Sequence, residues 1–434
     1  MLDLGLLLAQ LVVILVTARV AGRMIRPLGQ PQVIGEMVAG LALGPSVLGV
    51  VSPGTLATLF PPDRLLPLAT LSQLGVLLFM FVVGLRLDLD LLRSRAPAAV
   101  AVSQASIAAP FALGAGLAVV LRDQLAPAGV GLLPFALFLG ASMSVTAFPV
   151  LARILTERGL LGTRVGAVAI TAAAVDDVTA WCILAAVVAV ARASKGAVGT
   201  AGAMATFGIT LLTTAAYALV IATFGRRLLA RLALRHTGRG MSVTPHVVSI
   251  MVVLALASAW VTDRLGVHAL FGAFLAGAVV PRASAHTTPD GRAGLATEVA
   301  DRIEAIVSAV LLPIFFAFTG LRTSVALVNA AGLWAFFVLI LLVAVTGKLG
   351  GSAVAGRLTG MSWRESTAVG VLMNTRGLME LVILSVGLDV GVISPTLFAM
   401  MVLMALATTM MTSPLIGLLQ RPARNRTAVT TPAP

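Results

Sequence analysis

The sequence predicts an all-α polytopic membrane protein of about thirteen transmembrane helices, and three observations carry that prediction. First, 59% of the 434 residues are hydrophobic against 11% charged, with a mean hydropathy of +1.04, which lies outside the range of water-soluble globular domains. Second, apolar stretches of roughly 18–25 residues recur along the chain, the length an α-helix needs to cross the hydrocarbon layer. Third, the basic residues fall on alternate connections between these stretches, as they do in membrane proteins of defined orientation.

The expected spans lie near residues 4–24, 31–51, 66–85, 96–120, 131–156, 163–191, 200–225, 244–262, 267–281, 299–321, 329–350, 365–388 and 396–419. Continuous apolar runs of this density exclude a β-barrel, whose strands alternate and run to about ten residues. With the N-terminus outside, 22 of the 30 Lys and Arg residues fall on cytoplasmic connections, among them Arg19, Arg23, Arg93, Arg95, Arg231, Arg235, Arg239, Arg282, Arg292, Arg421, Arg424 and Arg426. Six fall outside: Arg64, Arg122, Arg192, Lys195, Arg264 and Arg322. The net charge of +13 is therefore a topology signal, and nucleic-acid binding is excluded because no basic domain or basic-aromatic stretch exists. The N-terminus lacks a basic leader region, so the first apolar run is expected to remain as a span in the cell membrane, and residues 421–434 are expected to form a disordered cytoplasmic tail. The single Cys182 allows no disulfide framework and is expected to fill space between helices.

Six spans, a linking span and six more place the second half upside down relative to the first, the inverted-repeat plan of many secondary transporters. Two short internal matches fit that plan. Gly35-Glu36-Met37-Val38-Ala39-Gly40 pairs with Gly272-Ala273-Phe274-Leu275-Ala276-Gly277, and Gly140 to Met143 pairs with Gly370 to Met373.

Ionisable groups inside spans are costly, roughly 2.5–3.5 kcal/mol each at mid-membrane on insertion scales, and so mark function. Asp176 and Asp177 sit in the middle of an apolar run, their side chains about 100° apart on a helix, so that one faces a cation route while the other turns to a neighbouring helix. A carboxylate satisfied by hydrogen bonds between helices is the structural alternative, and it suits a single aspartate better than a pair. Lys348 is the intramembrane lysine expected to partner one of them, against the alternative of a lysine reaching to the cytoplasmic interface. Two spans read as interrupted helices. One carries Ser142-Met143-Ser144-Val145-Thr146-Ala147-Phe148-Pro149, the other Met373-Asn374-Thr375-Arg376-Gly377-Leu378-Met379-Glu380. Broken helices in corresponding halves expose carbonyls and hydroxyls at mid-membrane, where Ser144 and Thr146 are candidate cation ligands. Asn374, Thr375, Arg376 and Glu380 are candidate supporting residues, with Arg376 and Glu380 spaced i,i+4 to neutralise each other. Glu36, near the start of the second span, is a further supporting candidate.

Pro31-Gln32-Val33-Ile34-Gly35-Glu36-Met37-Val38-Ala39-Gly40, Ala174-Val175-Asp176-Asp177 and Asn374-Thr375-Arg376-Gly377-Leu378-Met379-Glu380-Leu381 resemble signature segments of the monovalent cation:proton antiporter-2 superfamily, the last segment being most similar to the plant-type cation/H⁺ exchanger branch. The similarity runs from about Leu4 to Leu419. It implies a Na⁺/H⁺ antiporter-type fold and a homodimer, with scaffold and dimer helices at about 1–90 and 240–322 and core transport helices at about 96–191 and 329–419 that carry the ion in an elevator-like movement. It implies Asp177 as the carboxylate used alternately by Na⁺ or K⁺ and by protons, with Asp176 paired to Lys348. No cofactor is expected. A carboxylate away from water binds protons more tightly than one in solution, so a cation must displace the proton, and competition for one site yields exchange. An organic-solute transporter of similar fold is the alternative, less favoured because paired carboxylates repel anionic cargo. A channel would need a carbonyl filter or rings of charge. An intramembrane aspartyl enzyme would need its two aspartates on facing helices, whereas these are neighbours on one.

Overall fold

The computed structural model describes residues 3–86, 97–160, 163–195, 200–227, 229, 244–265, 268–280, 295–329 and 332–420. The expected tail, and the loop residues Arg93, Arg95, Arg231, Arg235, Arg239, Arg282 and Arg292, lie outside the described residues.

All of the regular structure among the described residues is helical. Among the described residues nine helices are long and apolar enough to cross a membrane, and a tenth candidate is the pair Trp363–Met373 and Leu378–Val390, bent by 44° at its break. Shorter apolar helices, Leu132–Ser144, Leu212–Gly225 and Ala269–Ala278, fall in the regions of the expected fifth, seventh and ninth spans. The chain is a multi-pass membrane protein.

Glycines set how closely the first group of helices packs. Gln32–Leu43 lies against Leu4–Ile25 on one side and Leu312–Leu321 on the other, while Ala269–Ala278 lies between Pro245–Arg264 and Leu66–Arg86. A Cβ on Gly40 would stand 2.1 Å from the Phe316 carbonyl oxygen, and one on Gly277 would stand 2.2 Å from that of Phe81. Only hydrogen fits at either crossing. The matched residues of the two halves thus meet matched neighbours. Gly35 abuts the Gly22 backbone of the preceding helix as Gly272 abuts Ser258, and Gly140 and Gly370 press on the carbonyls of Phe111 and Leu349.

A second group surrounds the charged residues. Pro97–Leu125 packs against Leu132–Ser144, Arg164–Lys195 and Gly351–Leu358, and Trp363–Met373 packs against Arg164–Lys195, Gly351–Leu358 and Pro395–Gln420. Both interruptions expected from sequence are present. Leu132–Ser144 ends at an extended Val145 and resumes at Phe148–Glu157, with Pro149 in the first turn where its missing N–H matters least. Trp363–Met373 starts with a capping box between Ser362 and Glu365, ends at Asn374 and resumes after Gly377, whose φ of 157° suits glycine. The two breaks touch: the Ala147 N–H donates to the Thr375 carbonyl at 2.9 Å, and the Thr146 hydroxyl reaches the Met373 carbonyl at 3.2 Å.

Two expectations need correction. The eleventh helix does not end near residue 350; it continues through a π-turn at Thr346–Gly350 to Leu358, with Gly347 and Gly351 packed close against Pro97–Leu125. Lys348 therefore lies well inside the span and is fully buried, which rules out the interfacial alternative. Cys182 is exposed at the protein surface, not packed between helices, since its position on Arg164–Lys195 turns away from the neighbours that bury Asp176 and Asp177.

Candidate ion site at the crossing of two broken helices

Asp176 and Asp177 occupy the middle of Arg164–Lys195, and both are buried, at 0% and 2% exposure. Their surroundings differ sharply. Asp176 accepts from Ser103 Oγ at 2.7 Å on Oδ1, and on Oδ2 from Ser106 Oγ, from Thr146 Oγ1 at 2.9 Å and from Lys348 Nζ at 3.1 Å. Four donors saturate this carboxylate. Asp177 Oδ1, by contrast, is buried and accepts no hydrogen bond among the described residues.

Lys348 is held by more than its aspartate. Nζ also donates to the Ser106 carbonyl at 2.9 Å, to Ser106 Oγ at 3.1 Å and to the Ser144 carbonyl. Its ammonium thus caps the end of the half-helix Leu132–Ser144, where free carbonyls carry the negative end of the helix dipole. Arg376 caps the same end from the other side. Nη1 and Nη2 donate to the carbonyls of Ser142 and Met143 at 3.3 and 2.7 Å, and Nη1 lies 3.1 Å from Glu380 Oε1.

The structure brings together most of the residues expected from sequence, with altered roles for some. Ser144 contributes its carbonyl to Lys348, while its hydroxyl donates back to the carbonyls of Gly140 at 2.7 Å and Ile107 at 3.1 Å. Thr146 engages Asp176. Thr375 sits at the break with its hydroxyl 3.4 Å from that of Thr412, and Asn374 Oδ1 is buried without a hydrogen bond among the described residues. Glu36 stands apart: it accepts from Gln32 Nε2 at 3.0 Å and lines a cavity of about 460 Å³ shared with Arg19, Glu304, Val150 and Leu378.

Four residues at this site escape a reading of the sequence. Ser103 and Ser106 cradle Asp176, and Thr409 holds the second break by accepting from the Arg376 N–H at 3.0 Å and donating to its carbonyl at 2.6 Å, with Thr412 beside it. Their one signal is helical spacing. Ser103 and Ser106, and Thr409 and Thr412, recur at i,i+3 in otherwise apolar helices, a polar stripe that faces the interior.

A sequence profile for the family described as sodium/hydrogen exchanger, transmembrane, matches residues 12–419. The chain belongs to this family. The chain is 42% identical over 414 residues to a Na⁺/H⁺ antiporter, NhaS4, of Synechocystis, covering 95% of this chain and 96% of that protein. It is 38% identical to cation/H⁺ antiporter 17 of Arabidopsis thaliana over 98% of this chain, and 35% identical to K⁺/H⁺ antiporter 1 of Saccharomyces cerevisiae over 90% of it. The chain spans 49% and 43% of the length of those two relatives. In fold it is similar to the sodium proton antiporter MjNhaP1 of Methanocaldococcus jannaschii, with a TM-score of 0.69, 13% identity and coverage of 95% and 97% of the two chains. The superfamily resemblance read from the three motifs is borne out, and this exchanger family is one of transporters, not enzymes.

Proposed function

We propose that the chain exchanges Na⁺ or K⁺ for H⁺ across the cell membrane, with Asp177 as the carboxylate occupied alternately by cation and proton. The observation that carries this reading is the contrast between neighbours: Asp176 is saturated by four donors, whereas Asp177 Oδ1 has none among the described residues. A cation needs lone pairs, and Asp177 has them. The names of the relatives, Na⁺/H⁺ and K⁺/H⁺ antiporters, support the same exchange.

Two cavities support a reading of alternating access. One, of about 460 Å³, includes Val150 and Leu378; the other, of about 480 Å³, includes Val382, Ser385 and Asp389. Both open between the first group of helices and the half-helix Leu378–Val390. On this reading the first group, about 1–90 and 240–322, is a scaffold, and about 96–191 and 329–419 form a core that slides against it in an elevator-like movement, each chain pairing with a second copy. The matched glycine contacts of the two halves support thirteen spans arranged as two inverted repeats around a linker. The charge distribution supports an outer N-terminus and a cytoplasmic C-terminal end.

The reading is tested by pH-gradient-driven uptake of labelled Na⁺, and of Rb⁺ as a K⁺ tracer, into proteoliposomes. Uptake that requires the gradient and disappears in Asp177→Asn is expected; gradient-independent uptake points to a channel and overturns it.

A further inference from the structure

We propose that two contacts clasp the first group of helices to the second, Arg322 to Asp389 on the outer face and Gln30 to the Met410 carbonyl on the cytoplasmic face. Together they set which side the ion site opens to. This rests on the exchange reading above and adds to it the residues that hold one state of the carrier.

Arg322 and Gln30 belong to the group read as scaffold, Asp389 and Met410 to the group read as core. The outer contact is an ion pair of 2.7 Å between Arg322 Nη2 and Asp389 Oδ1, with side chains 25% and 42% exposed. Arg322 follows the helix Leu312–Leu321, and its guanidinium also stands 5.6 Å from the centre of the Phe318 ring, which keeps it on the scaffold side. Asp389 sits in the last turn of Leu378–Val390. An acid there meets the negative end of the helix dipole, and Arg322 offsets it.

The cytoplasmic contact is made possible by a proline. Pro414 lies inside Pro395–Gln420 and has no N–H to give to the Met410 carbonyl one turn back. Gln30, buried in the turn before Gln32–Leu43, donates Nε2 to that carbonyl at 2.9 Å. The core thus exposes an acceptor, and the scaffold supplies the donor.

The two cavities identify the state that is held. The cavity of about 460 Å³ includes Arg19, of the cytoplasmic set, and reaches Val150 and Leu378. These flank the second break, since a Cβ on Gly377 would stand 3.2 Å from Val150 Cγ2. The cavity of about 480 Å³ includes Arg322 and meets the same half-helix only from Val382 to Asp389, beyond its first turn. The clasped state is the one open toward the cytoplasm. Both contacts are direct and short, so a slide of the core by a few ångströms breaks them, and losing either shifts the carrier toward the opposite opening. Arg322, Asp389 and Gln30 are positioning residues: they act on the site through the placement of the core.

The test is the apparent KM for the cation measured separately from each side of oriented proteoliposomes holding the full chain. Each KM varies inversely with the fraction of carriers open to its side, so the ratio of cytoplasmic to outer KM follows the equilibrium between the two states. In Asp389→Asn the ratio should rise about two- to fivefold, the range for a part-exposed ion pair. Asp389→Glu, which keeps the charge, should bring it back toward the wild type. Gln30→Leu combined with Pro414→Ala should raise the ratio as well, while the new N–H at position 414 keeps the Met410 carbonyl paired. A merely structural role would lower yield or rate from both sides and leave the ratio alone. A ratio that is unchanged or falls in either variant overturns the proposal, and if one variant fails to assemble the other decides.

A readout without transport separates this proposal from the reading it rests on. Nitroxides on Leu66→Cys in the scaffold and Leu133→Cys in the core, 76% and 62% exposed in the native chain, report the distance between the groups in a Cys182→Ser background diluted with unlabelled protein. A second distance that gains about two- to fivefold in population in Asp389→Asn is expected, and an unchanged distribution overturns the clasp. No cation-driven proton flow in the wild type sinks the exchange reading instead, and the spin-label distances then decide the clasp alone.

Discussion

Lys348 Nζ stands 3.1 Å from Asp176 Oδ2, with both side chains sealed from solvent. Each charge justifies the other, so removing one leaves an uncompensated ion in a dry interior, a loss of about 3–5 kcal/mol for a broken buried pair. Lys348→Ala is expected to lower the thermal unfolding midpoint of the detergent-solubilised protein clearly, and adding Asp176→Ala to it should recover most of the drop. Equal damage from the double and the sum of the singles would show that the pair is not coupled.

The hydroxyl cradle of Asp176 makes a second prediction. Ser103→Ala and Ser106→Ala each remove a hydrogen bond to a charged acceptor, about 1.5–3 kcal/mol. Ser106→Ala should cost more, because Ser106 Oγ both donates to Asp176 and accepts from Lys348, whereas Ser103 serves the aspartate alone. Denaturation midpoints of the two variants, compared side by side, test the order.

Helix contact at glycine is a third. Gly40→Ala places a methyl about 2.1 Å from the Phe316 carbonyl, and the helices must separate to admit it, an overpacking cost of about 1–3 kcal/mol or more. Gly54→Ala meets nothing within 4 Å and serves as the neutral control. Folded yield by size-exclusion fluorescence should fall for the first and hold for the second.

Competition for Asp177 fixes the sign of the pH response. Lower pH fills the carboxylate with protons and raises the apparent KM for the cation, by about tenfold per pH unit where a single proton competes, with the maximal rate unaffected by that occupancy. Cation titrations at several pH values on both sides of the vesicle membrane measure this; a KM independent of pH would mean that cation and proton use different groups.

Much of this arrangement was legible in the sequence because a bilayer punishes charge and rewards regular backbone. Asp176, Asp177, Lys348, Arg376 and Glu380 stood out as ions in apolar runs, and Pro149 and Gly377 marked the interruptions. What escaped were residues of ordinary cost. Ser103, Ser106 and Thr409 satisfy themselves on backbone carbonyls in any helix, so nothing in their local sequence distinguishes a hydroxyl that cradles an aspartate from one that merely turns inward. Ser144 was legible as part of the site but not as the carbonyl that accepts from Lys348, since which atom of a residue serves depends on where the half-helix stops. Gly347, Gly350 and Gly351 resemble a terminus in the sequence, yet the eleventh helix runs on through them, with Gly347 and Gly351 packed against the close face of Pro97–Leu125.

The most direct test of the central claim is cation-driven proton movement in proteoliposomes, followed with a pH-sensitive dye as Na⁺, K⁺ and choline are added in turn to wild type and Asp177→Asn. Dissipation of the pH gradient by Na⁺ or K⁺ but not choline, and its loss in Asp177→Asn, is the predicted result. A response that persists in Asp177→Asn, or none with any cation in the wild type, contradicts exchange at this carboxylate.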